Sequence, residues 1–428
     1  MASKFPLVRT LAKRTYAVAA VENQVLSNNL TVASAPSNLK GLCKVALVVR
    51  AGSRYETMDN YGASHLLRAS LGLTTADASS FSIIKNLGKL GATMSATSDR
   101  ETLVYTLNAT CDQLDDALKY FKAAVAKQEF RPWELSEVYP RLKYELAIRP
   151  PTSLVLDLVH KAAYRTGLGN SIYAKEYQLK KLCPETLKHY VNSRFQTSKM
   201  AVVGVGVDQS TLTSFAESLG FQTQGGSSST PSTYHGGEVR EDANTPLAYV
   251  VLVGEGAALN KKEVFTYGVL RYALGGGCSI KRGVGSNPLS KVVSKSFDAT
   301  HAQAVNFSHS DSGLFGLFLA TTPENTKEAV TGAMKALKDG VTEADVNRAK
   351  SQLKAQALYE SESDDGVLTD LANQAVLLGG GKNASSLVSE IDSVTTSQVE
   401  EALKKFLNGK KSLAAYGNIA NVPYLDEF

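Results

Sequence analysis

The amino-acid sequence predicts an α+β protein of two homologous domains, each a mostly antiparallel β-sheet packed with helices. Three observations support this prediction. A low-complexity polar segment lies near the middle of the 428 residues, the same order of segments recurs on both sides of it, and the apolar spacing alternates between strand and helix periods. The length alone suits two or three domains, and the repeat favours two.

The repeat begins with an apolar strand that glycine interrupts before a helical segment. In the first half KVALVVRAGSRYE breaks at Gly52 and precedes YGASHLLRASLG. In the second half LAYVVLVGEGAAL breaks at Gly254 and Gly256 and precedes VFTYGVLRYALGGG. Val49 thus corresponds to Val253, 204 residues later.

Each half then continues with the same series of elements. Two strands with alternating residues enclose a polar turn, LGATMSATSDRETLVYTLNA in the first half and HAQAVNFSHSDSGLFGLFLAT in the second. Two segments with helical spacing follow in each half, and each half ends in a capped helix and a short strand. Pro184 corresponds to Thr396, 212 residues later, so only small loop insertions separate the two copies.

The predicted domain boundaries follow from this repeat. We expect a presequence over residues 1–16, a first domain over 17–221, a Gly/Ser-rich linker over 222–236 and a second domain over 237–428.

The net charge of +5 is concentrated at the amino terminus. Lys4, Arg9, Lys13 and Arg14 precede the first acidic residue, Glu22, and hydroxyl and apolar residues lie between them. This composition is typical of a mitochondrial presequence, and no secretory apolar stretch is present. Removing the presequence takes four positive charges and no negative one, which leaves a net charge of +1. The mature chain therefore gives no reason to expect a nucleic-acid partner.

The cysteines and the apolar runs exclude several other classes. Cys43, Cys111, Cys183 and Cys278 lie far apart in the sequence, without zinc-finger, haem-attachment or iron–sulfur spacing. We expect four small, buried, reduced thiols and no redox centre in this chain. The apolar runs are too short to cross a bilayer, so any membrane association would require partner proteins.

The search for catalytic motifs leaves one histidine of interest. Nucleophile elbows, phosphate loops and dinucleotide fingerprints are absent from the sequence, and no two histidines stand four residues apart. His65 lies at the start of a predicted helix in YGASHLLRAS. This segment resembles the inverted zinc motif His-x-x-Glu-His of the processing-peptidase and insulinase family, in which two histidines bind zinc and the glutamate is the general base.

Only the first histidine of that motif is present. Arg68 stands at the position of the glutamate and Ala69 at that of the second histidine, while Glu145 matches the family's third zinc ligand. A catalytic zinc normally takes three protein ligands, and an arginine can neither accept a proton nor favour a cation nearby. We therefore expect no metal and no catalytic residue here. We expect His65 to be structural, and an ion pair between Arg68 and Glu145 is an attractive alternative role for that glutamate.

The resemblance covers nearly the whole mature chain and is greatest to the family's inactive members, the core proteins of mitochondrial ubiquinol-cytochrome c reductase, respiratory complex III. The segments that carry it are Ala96 to Leu107, Phe130 to Glu145, His160 to Tyr173, Ser310 to Gly316 and the carboxyl-terminal KSLAAYGNIANVPYLDEF. The resemblance implies a processing-peptidase-like fold and a structural subunit, peripheral on the matrix side of the inner membrane. Such a subunit pairs with core protein 1 beside cytochrome b, cytochrome c1, the iron–sulfur protein and small subunits, which hold the haems and the cluster.

Two other functions stay open at the level of sequence. The first is the non-catalytic α subunit of the mitochondrial processing peptidase, whose second domain carries a glycine-rich loop that helps to hold presequences. LGGGCSIKRG lies at that place, but only Gly275 to Gly277 are consecutive glycines, and Lys281 and Arg282 would repel a basic presequence. The second is a free-standing zinc protease that takes a metal ligand from elsewhere in the chain.

Overall fold

The computed structural model describes residues 21–39, 41–221, 230–276, 287–294, 300–381 and 384–427. The predicted presequence, most of the predicted linker, Cys278 and the Lys281–Arg282 pair lie outside these residues.

The first domain contains one six-stranded sheet. Its strands are β1 (Glu22–Val25), β2 (Thr31–Ala35), β3 (Leu42–Val49), β4 (Thr93–Ser98), β5 (Leu103–Thr110) and β6 (Met200–Val205). They lie in the order β1-β2-β6-β3-β5-β4. Only β2 and β6 are parallel, and the other neighbours are antiparallel.

The helices of the first domain lie at three places in the chain: between β3 and β4, between β5 and β6, and after β6. They are α1 (Ala63–Ala69), α2 (Ser80–Lys89), α3 (Leu114–Ala126), α4 (Pro132–Ala147), α5 (Pro151–Tyr164), α6 (Glu176–Leu179), α7 (Pro184–Arg194) and α8 (Gln209–Ser218). Three of them begin at a proline, whose fixed φ and missing N–H suit the first helical position: α4, α5 and α7.

The second domain repeats this topology. Its strands are β7 (Gly237–Asp242), β8 (Ala248–Glu255), β9 (His301–Ser308), β10 (Gly313–Thr321) and β11 (Lys411–Gly417), in the order β7-β11-β8-β10-β9. Its helices are α9 (Glu263–Leu274), α10 (Pro288–Val293), α11 (Thr326–Lys338), α12 (Glu343–Glu362), α13 (Asp364–Leu377), α14 (Ala384–Ser393) and α15 (Thr396–Asn408).

Five strands of the first sheet correspond in order to the five of the second, and the edge strand β1 has no counterpart among the described residues of the second sheet. The corresponding strands, in order across the sheets, are β2, β6, β3, β5 and β4 in the first and β7, β11, β8, β10 and β9 in the second. The single parallel pair is the same in both, β2 with β6 and β7 with β11. The predicted fold class, two homologous α+β domains with mostly antiparallel sheets, is therefore confirmed. The exact domain boundaries remain predictions.

The two domains exchange one helix each. Helix α5 of the first domain packs on the second sheet against β7, β8 and β11, and helix α13 of the second domain packs on the first sheet against β2, β3 and β6. The other face of each sheet carries the domain's own core. Strands covered on both faces are expected to read as continuous apolar runs, as MAVVGV in β6 does.

Small side chains let the exchanged helix α13 approach its sheet closely. The sheet face below α13 consists of alanine and valine, and Leu368, Leu371, Ala372 and Ala375 of α13 pack on it. Helix α5 contributes Val155, Val159, Ala163 and Tyr164 to the equivalent layer of the second domain. Burial of apolar area stabilises a protein by about 25 cal/mol per Å² removed from water. These layers are buried only while both domains are folded together, so each domain depends on the other for this stabilisation.

Polar contacts fix the start of α13. The carboxylate of Asp364 accepts hydrogen bonds from the Ser37 hydroxyl at 2.6 Å and from the Asn38 amide at 3.0 Å. Lys44 forms an ion pair with Asp365. Both contacts join the first residues of α13 to the chain around β2 and β3, so they set where the exchanged helix lies on the sheet.

A buried ion cluster joins the domains at a second place. The Arg54 guanidinium, 3% exposed, lies 2.6 Å from the Glu101 carboxylate of its own domain and 2.8 Å from Asp311 of the second domain. The amide of Ser310 donates to Glu101 at 2.8 Å. Because removal of one member would leave a buried charge unpaired, this cluster resists separation of the domains.

The cysteines differ from the prediction of four reduced, buried thiols. Cys43 at the start of β3 and Cys111 directly after β5 are joined by a disulfide, with 5.2 Å between their Cα atoms. The antiparallel register of β3 and β5 brings them together across 68 residues of sequence, which spacing alone does not reveal. Cys183 is a free but exposed thiol. The prediction of reduced thiols was wrong for Cys43 and Cys111; for Cys183 the free thiol is confirmed but its burial was wrong, and Cys278 lies outside the described residues.

Within the described ranges, no helix is both long enough and apolar enough to cross a membrane.

The domain interface also buries two histidines. His160 of α5 and His309 of the β9–β10 turn lie with ring centroids 5.5 Å apart, and Tyr164 packs edge-on against His309. Burial is the main cause that lowers the pKa of His309 to about 4. Arg100 and Arg54 lower this pKa further, while Glu101 and Asp99 oppose them. Burial also lowers the pKa of His160 well below its ordinary value.

These histidines predict a loss of stability in acid. A histidine whose pKa is about 4 when folded and about 6.5 when unfolded contributes stability above pH 6.5 that is lost as the pH falls towards 4. For His309 this contribution is on the order of 3 kcal/mol. Urea unfolding at a series of pH values should show that the free energy of unfolding declines below pH 6.5. His309→Gln should make this decline shallower. The exposed His189 provides the control, since His189→Gln should leave the decline unchanged. An equal effect of both substitutions would contradict the assignment.

Candidate functional site

Helix α1 carries the remnant of the zinc motif, and the buried carboxylate of Glu56 caps its first turn. Glu56 accepts hydrogen bonds from the Gly62 amide at 2.8 Å, the Ser64 amide at 2.8 Å and the Ser64 hydroxyl at 2.6 Å. It thereby satisfies amide groups that the first turn of a helix leaves without partners. Burial raises the pKa of Glu56 to about 7 although these three donors oppose the shift.

Gly62 allows the chain to enter α1 at this point. Its φ is +88°, and an added Cβ would lie 2.3 Å from the Cβ of Ala174. Both the backbone conformation and the close approach require glycine. The segment around Ala174 therefore lies directly against the start of α1.

His65 is buried in this arrangement, with 1% of its surface exposed. Its Nδ1 accepts a hydrogen bond from the Ala174 amide at 3.2 Å, and Tyr173 packs edge-on against the ring at 5.4 Å. Because Nδ1 is the acceptor, the proton of the neutral ring lies on Nε2, which faces the Glu145 carboxylate at 3.6 Å. Burial, followed by the charge of Arg68, lowers the pKa of His65 to about 4, so the neutral ring is the stable form.

Arg68 binds the carboxylate that would otherwise be the third zinc ligand. Its Nη2 lies 2.6 Å from both oxygens of Glu145, so the predicted ion pair is present. Although partial burial favours the neutral acid, the hydrogen bond from Arg68 keeps the pKa of Glu145 below its ordinary value. The guanidinium thus takes the place of the metal: it supplies the positive charge that Glu145 faces.

Ala69 completes the change from the family's motif. It is buried in the core of the first domain, where the motif has its second histidine. Among the described residues, no group of three or more His, Cys, Asp and Glu side chains could hold a metal ion. The chemistry of His65, Arg68, Ala69 and Glu145 offers two zinc ligands at most and no general base.

The structure places the four sequence-predicted residues together and adds partners that sequence reasoning missed. His65, Arg68 and Glu145 are in contact, and Ala69 follows on the same helix. Glu56, Tyr173 and the Ala174 amide were not predicted, because their distances to α1 depend on tertiary structure. Only the conspicuous spacing of a glutamate six residues before Gly62 could have suggested Glu56 as a helix cap.

The glycine-rich segment of the second domain is described only at its start. Gly275 and Gly276 follow the end of α9, and Gly277 lies outside the described residues together with Lys281 and Arg282. Gly275 has a φ of +134°, and an added Cβ would lie 2.6 Å from the Asn287 side chain. This glycine therefore has a structural reason to be present at the end of α9.

Comparison with known proteins decides the family. The family model of the insulinase peptidases, M16, matches residues 31–176, and the model described as the M16 inactive domain matches residues 181–353. The chain belongs to the M16 peptidase family. Both homologous domains thus have counterparts in it, and the inverted motif around His65 is the site that this family uses for zinc.

Similar curated proteins include members of two groups. Cytochrome b-c1 complex subunit 2, mitochondrial, of Mus musculus is 36% identical over 411 residues, 94% of this chain and 90% of that protein. The protein of the same name from Homo sapiens is 34% identical over 414 residues, with the same coverage. The mitochondrial-processing peptidase subunit alpha of Solanum tuberosum is 27% identical over 417 residues, 94% of this chain and 82% of that protein.

These findings and the residues at the site agree that the chain is a non-catalytic member of the family. The relatives of higher identity are named as subunits of the b-c1 complex, and residues 181–353 match a domain described as inactive. The first half keeps only His65 of the zinc motif and has Arg68 in place of the general base and Ala69 in place of the second histidine. An arginine–glutamate pair cannot activate water for peptide hydrolysis as a bound zinc does.

The site predicts how the chain behaves towards zinc. After dialysis, the purified chain should retain less than about 0.1 zinc per molecule, because two ligands with one neutralised by Arg68 bind weakly. The double substitution Arg68→Glu with Ala69→His restores His-x-x-Glu-His and frees Glu145, so bound zinc should rise towards one per molecule. Elemental analysis of both proteins measures this. One tightly bound zinc in the unchanged chain would contradict the account of Arg68 and Ala69.

Proposed function

We propose that this chain is a non-catalytic core subunit of mitochondrial respiratory complex III, the cytochrome b-c1 complex. The observation that carries the proposal is its similarity of 34–36% over 94% of its length to proteins named cytochrome b-c1 complex subunit 2. The ion pair of Arg68 and Glu145 supports it, since a structural subunit has no need of a metal. Its function would be to support assembly and stability of the complex.

In this proposal the chain pairs with core protein 1 on the matrix side of the inner membrane. Cytochrome b, cytochrome c1, the iron–sulfur protein and small subunits are the other partners, and through them the chain is attached to the membrane. The haems and the iron–sulfur cluster belong to those subunits, so this chain itself carries no cofactor. The basic amino terminus, with Lys4 through Arg14, supports delivery to mitochondria.

Apolar side chains on the surface are consistent with a subunit of an assembly. Phe81 and Ile84, three residues apart on one face of α2, are 73% and 66% exposed, and Trp133 at the start of α4 is 62% exposed. Exposed apolar groups that lie side by side are candidates for contact with partner proteins.

The alternative function is the α subunit of the mitochondrial processing peptidase. It has in its favour an identity of 26–27% over 94–95% of the chain to proteins of that name. The lower identity, and the absence of a longer run of glycines after Gly275 in the sequence, place it second.

A native gel of detergent-solubilised mitochondria separates the two functions. We expect antibody against this chain to label a band at the mass of complex III, and depletion of the chain to reduce that band together with ubiquinol-cytochrome c reductase activity. Labelling of a soluble matrix heterodimer alone would contradict the proposal and favour the processing peptidase. Reductase activity that is unchanged after depletion would contradict it as well.

A further inference from the structure

A cavity of about 640 Å³ opens beside the dismantled motif and is not explained by it. The end of α4, helix α5 and the segment between α5 and α6 form its walls, and Gly62 at the start of α1 also borders it. His65, Arg68 and Glu145 are not part of its lining. Its volume lies within the range of roughly 300–1,000 Å³ that is usual for small-molecule sites.

Cations without carboxylate partners surround this cavity. Within the described part of the chain, four of its lysines and arginines form no ion pair: Arg149, Lys161, Arg165 and Lys175. Most of the carboxylates there are already engaged: Glu56 by the start of α1, Asp157 by Arg100 and Glu176 by Lys143. Glu241 is the lining carboxylate left against these four cations. The lining holds five lysines and arginines against four carboxylates, an excess of one positive charge, and its four unpaired cations are the groups left to meet an anion.

Arg165 is held at the rim in a strained conformation. Its φ is +65° and its ψ is −51°, and the Thr166 amide donates to the Tyr164 carbonyl at 2.7 Å across it. This is a γ-turn of the rare type that L-residues adopt only under strain. Glycine would adopt this turn without steric strain, so the presence of arginine indicates that its side chain has a role.

Arg149 is held at the wall by Tyr173, which also packs against His65, and by the Leu146 carbonyl. Its guanidinium lies 4.7 Å from the ring centroid of Tyr173, the same ring that packs against His65, and its Nε donates to the Leu146 carbonyl at 3.3 Å. An arginine already held against an aromatic ring loses little freedom on binding, and its remaining N–H groups match the oxygens of a phosphate.

We propose that this cavity binds a phosphate-bearing anion with more than one negative charge, either a free oligophosphate or the headgroup of an anionic lipid. Arg149 and Arg165 supply planar donors for phosphate oxygens, and Lys161 and Lys175 supply charge at the rim. The same cations would repel a basic presequence, so this site differs in sign from one that holds such peptides. The proposal concerns a ligand and does not depend on the proposed function.

Binding of sodium tripolyphosphate to the purified full-length chain tests the proposal by calorimetry and thermal unfolding. We expect saturable binding and a raised Tm for the unchanged chain. Arg149→Gln and Arg165→Gly should each weaken binding about tenfold, since each removes charge-assisted hydrogen bonds. Arg165→Gly should also raise the Tm in the absence of ligand, because it relieves the strained turn. Weaker binding by a more stable protein cannot be attributed to misfolding.

Arg141→Gln is the matched control. Arg141 is exposed on α4, the helix that ends just before Arg149, and it does not line the cavity. Its affinity should stay within about twofold of the unchanged chain. An equal loss with this control, or no binding of tripolyphosphate, would overturn the proposal. So would binding of an acidic peptide without binding of tripolyphosphate.

Vesicles of phosphatidylcholine with and without phosphatidylglycerol distinguish the two sources of phosphate. Displacement of tripolyphosphate by the anionic vesicles alone would identify a lipid headgroup as the ligand, and a failure to displace it would identify a free oligophosphate. Both results presuppose that tripolyphosphate binds in the cavity, so both support the proposal. Displacement by both kinds of vesicle would contradict a charge-selective site.

Discussion

The exchange of α5 and α13 between the domains is the constraint on which the rest of the structure depends. Each sheet is covered on one face by its own domain's core and on the other by a helix from the other domain. A sheet that lost its foreign helix would expose a face made of alanine, valine and other apolar side chains. The two domains are therefore halves of one body, and the ion cluster around Arg54 adds a polar link that is satisfied only when they are joined.

The fold around helix α1 is held by residues other than those of the zinc motif. Helix α1 is positioned by Glu56, Gly62 and the Ala174 segment, none of which would be a zinc ligand. The Arg68–Glu145 pair then satisfies the charge of a carboxylate that a metal would satisfy in an active relative. What remains is a scaffold whose stability comes from packing and from a partly exposed ion pair of modest energy. Such a scaffold suits a structural subunit better than a peptidase.

Sequence could predict the duplication and the broken motif because both are local patterns. The strand, hairpin and helix order of the two halves is readable from periodicity, and the zinc motif depends on the identity of neighbouring residues such as Arg68 and Ala69. The helix exchange was not predicted, since the apolar faces of α5 and α13 look the same whichever sheet they cover. The disulfide of Cys43 and Cys111 and the cap by Glu56 depend on register and on loop paths. Both depend on how the folded chain brings separate segments together, and only the cap has a local signal, the position of Glu56 six residues before Gly62.

The most direct measurement of the central claim is the folding of the two halves, residues 17–221 and 237–428, produced separately and then mixed. Because each half lacks the helix that covers its sheet, neither alone should show a cooperative thermal transition. The mixture should regain one near the midpoint of the intact chain. A cooperative transition in either half alone, at the midpoint of the whole protein, would contradict the account and make the exchanged helices a minor contribution to stability.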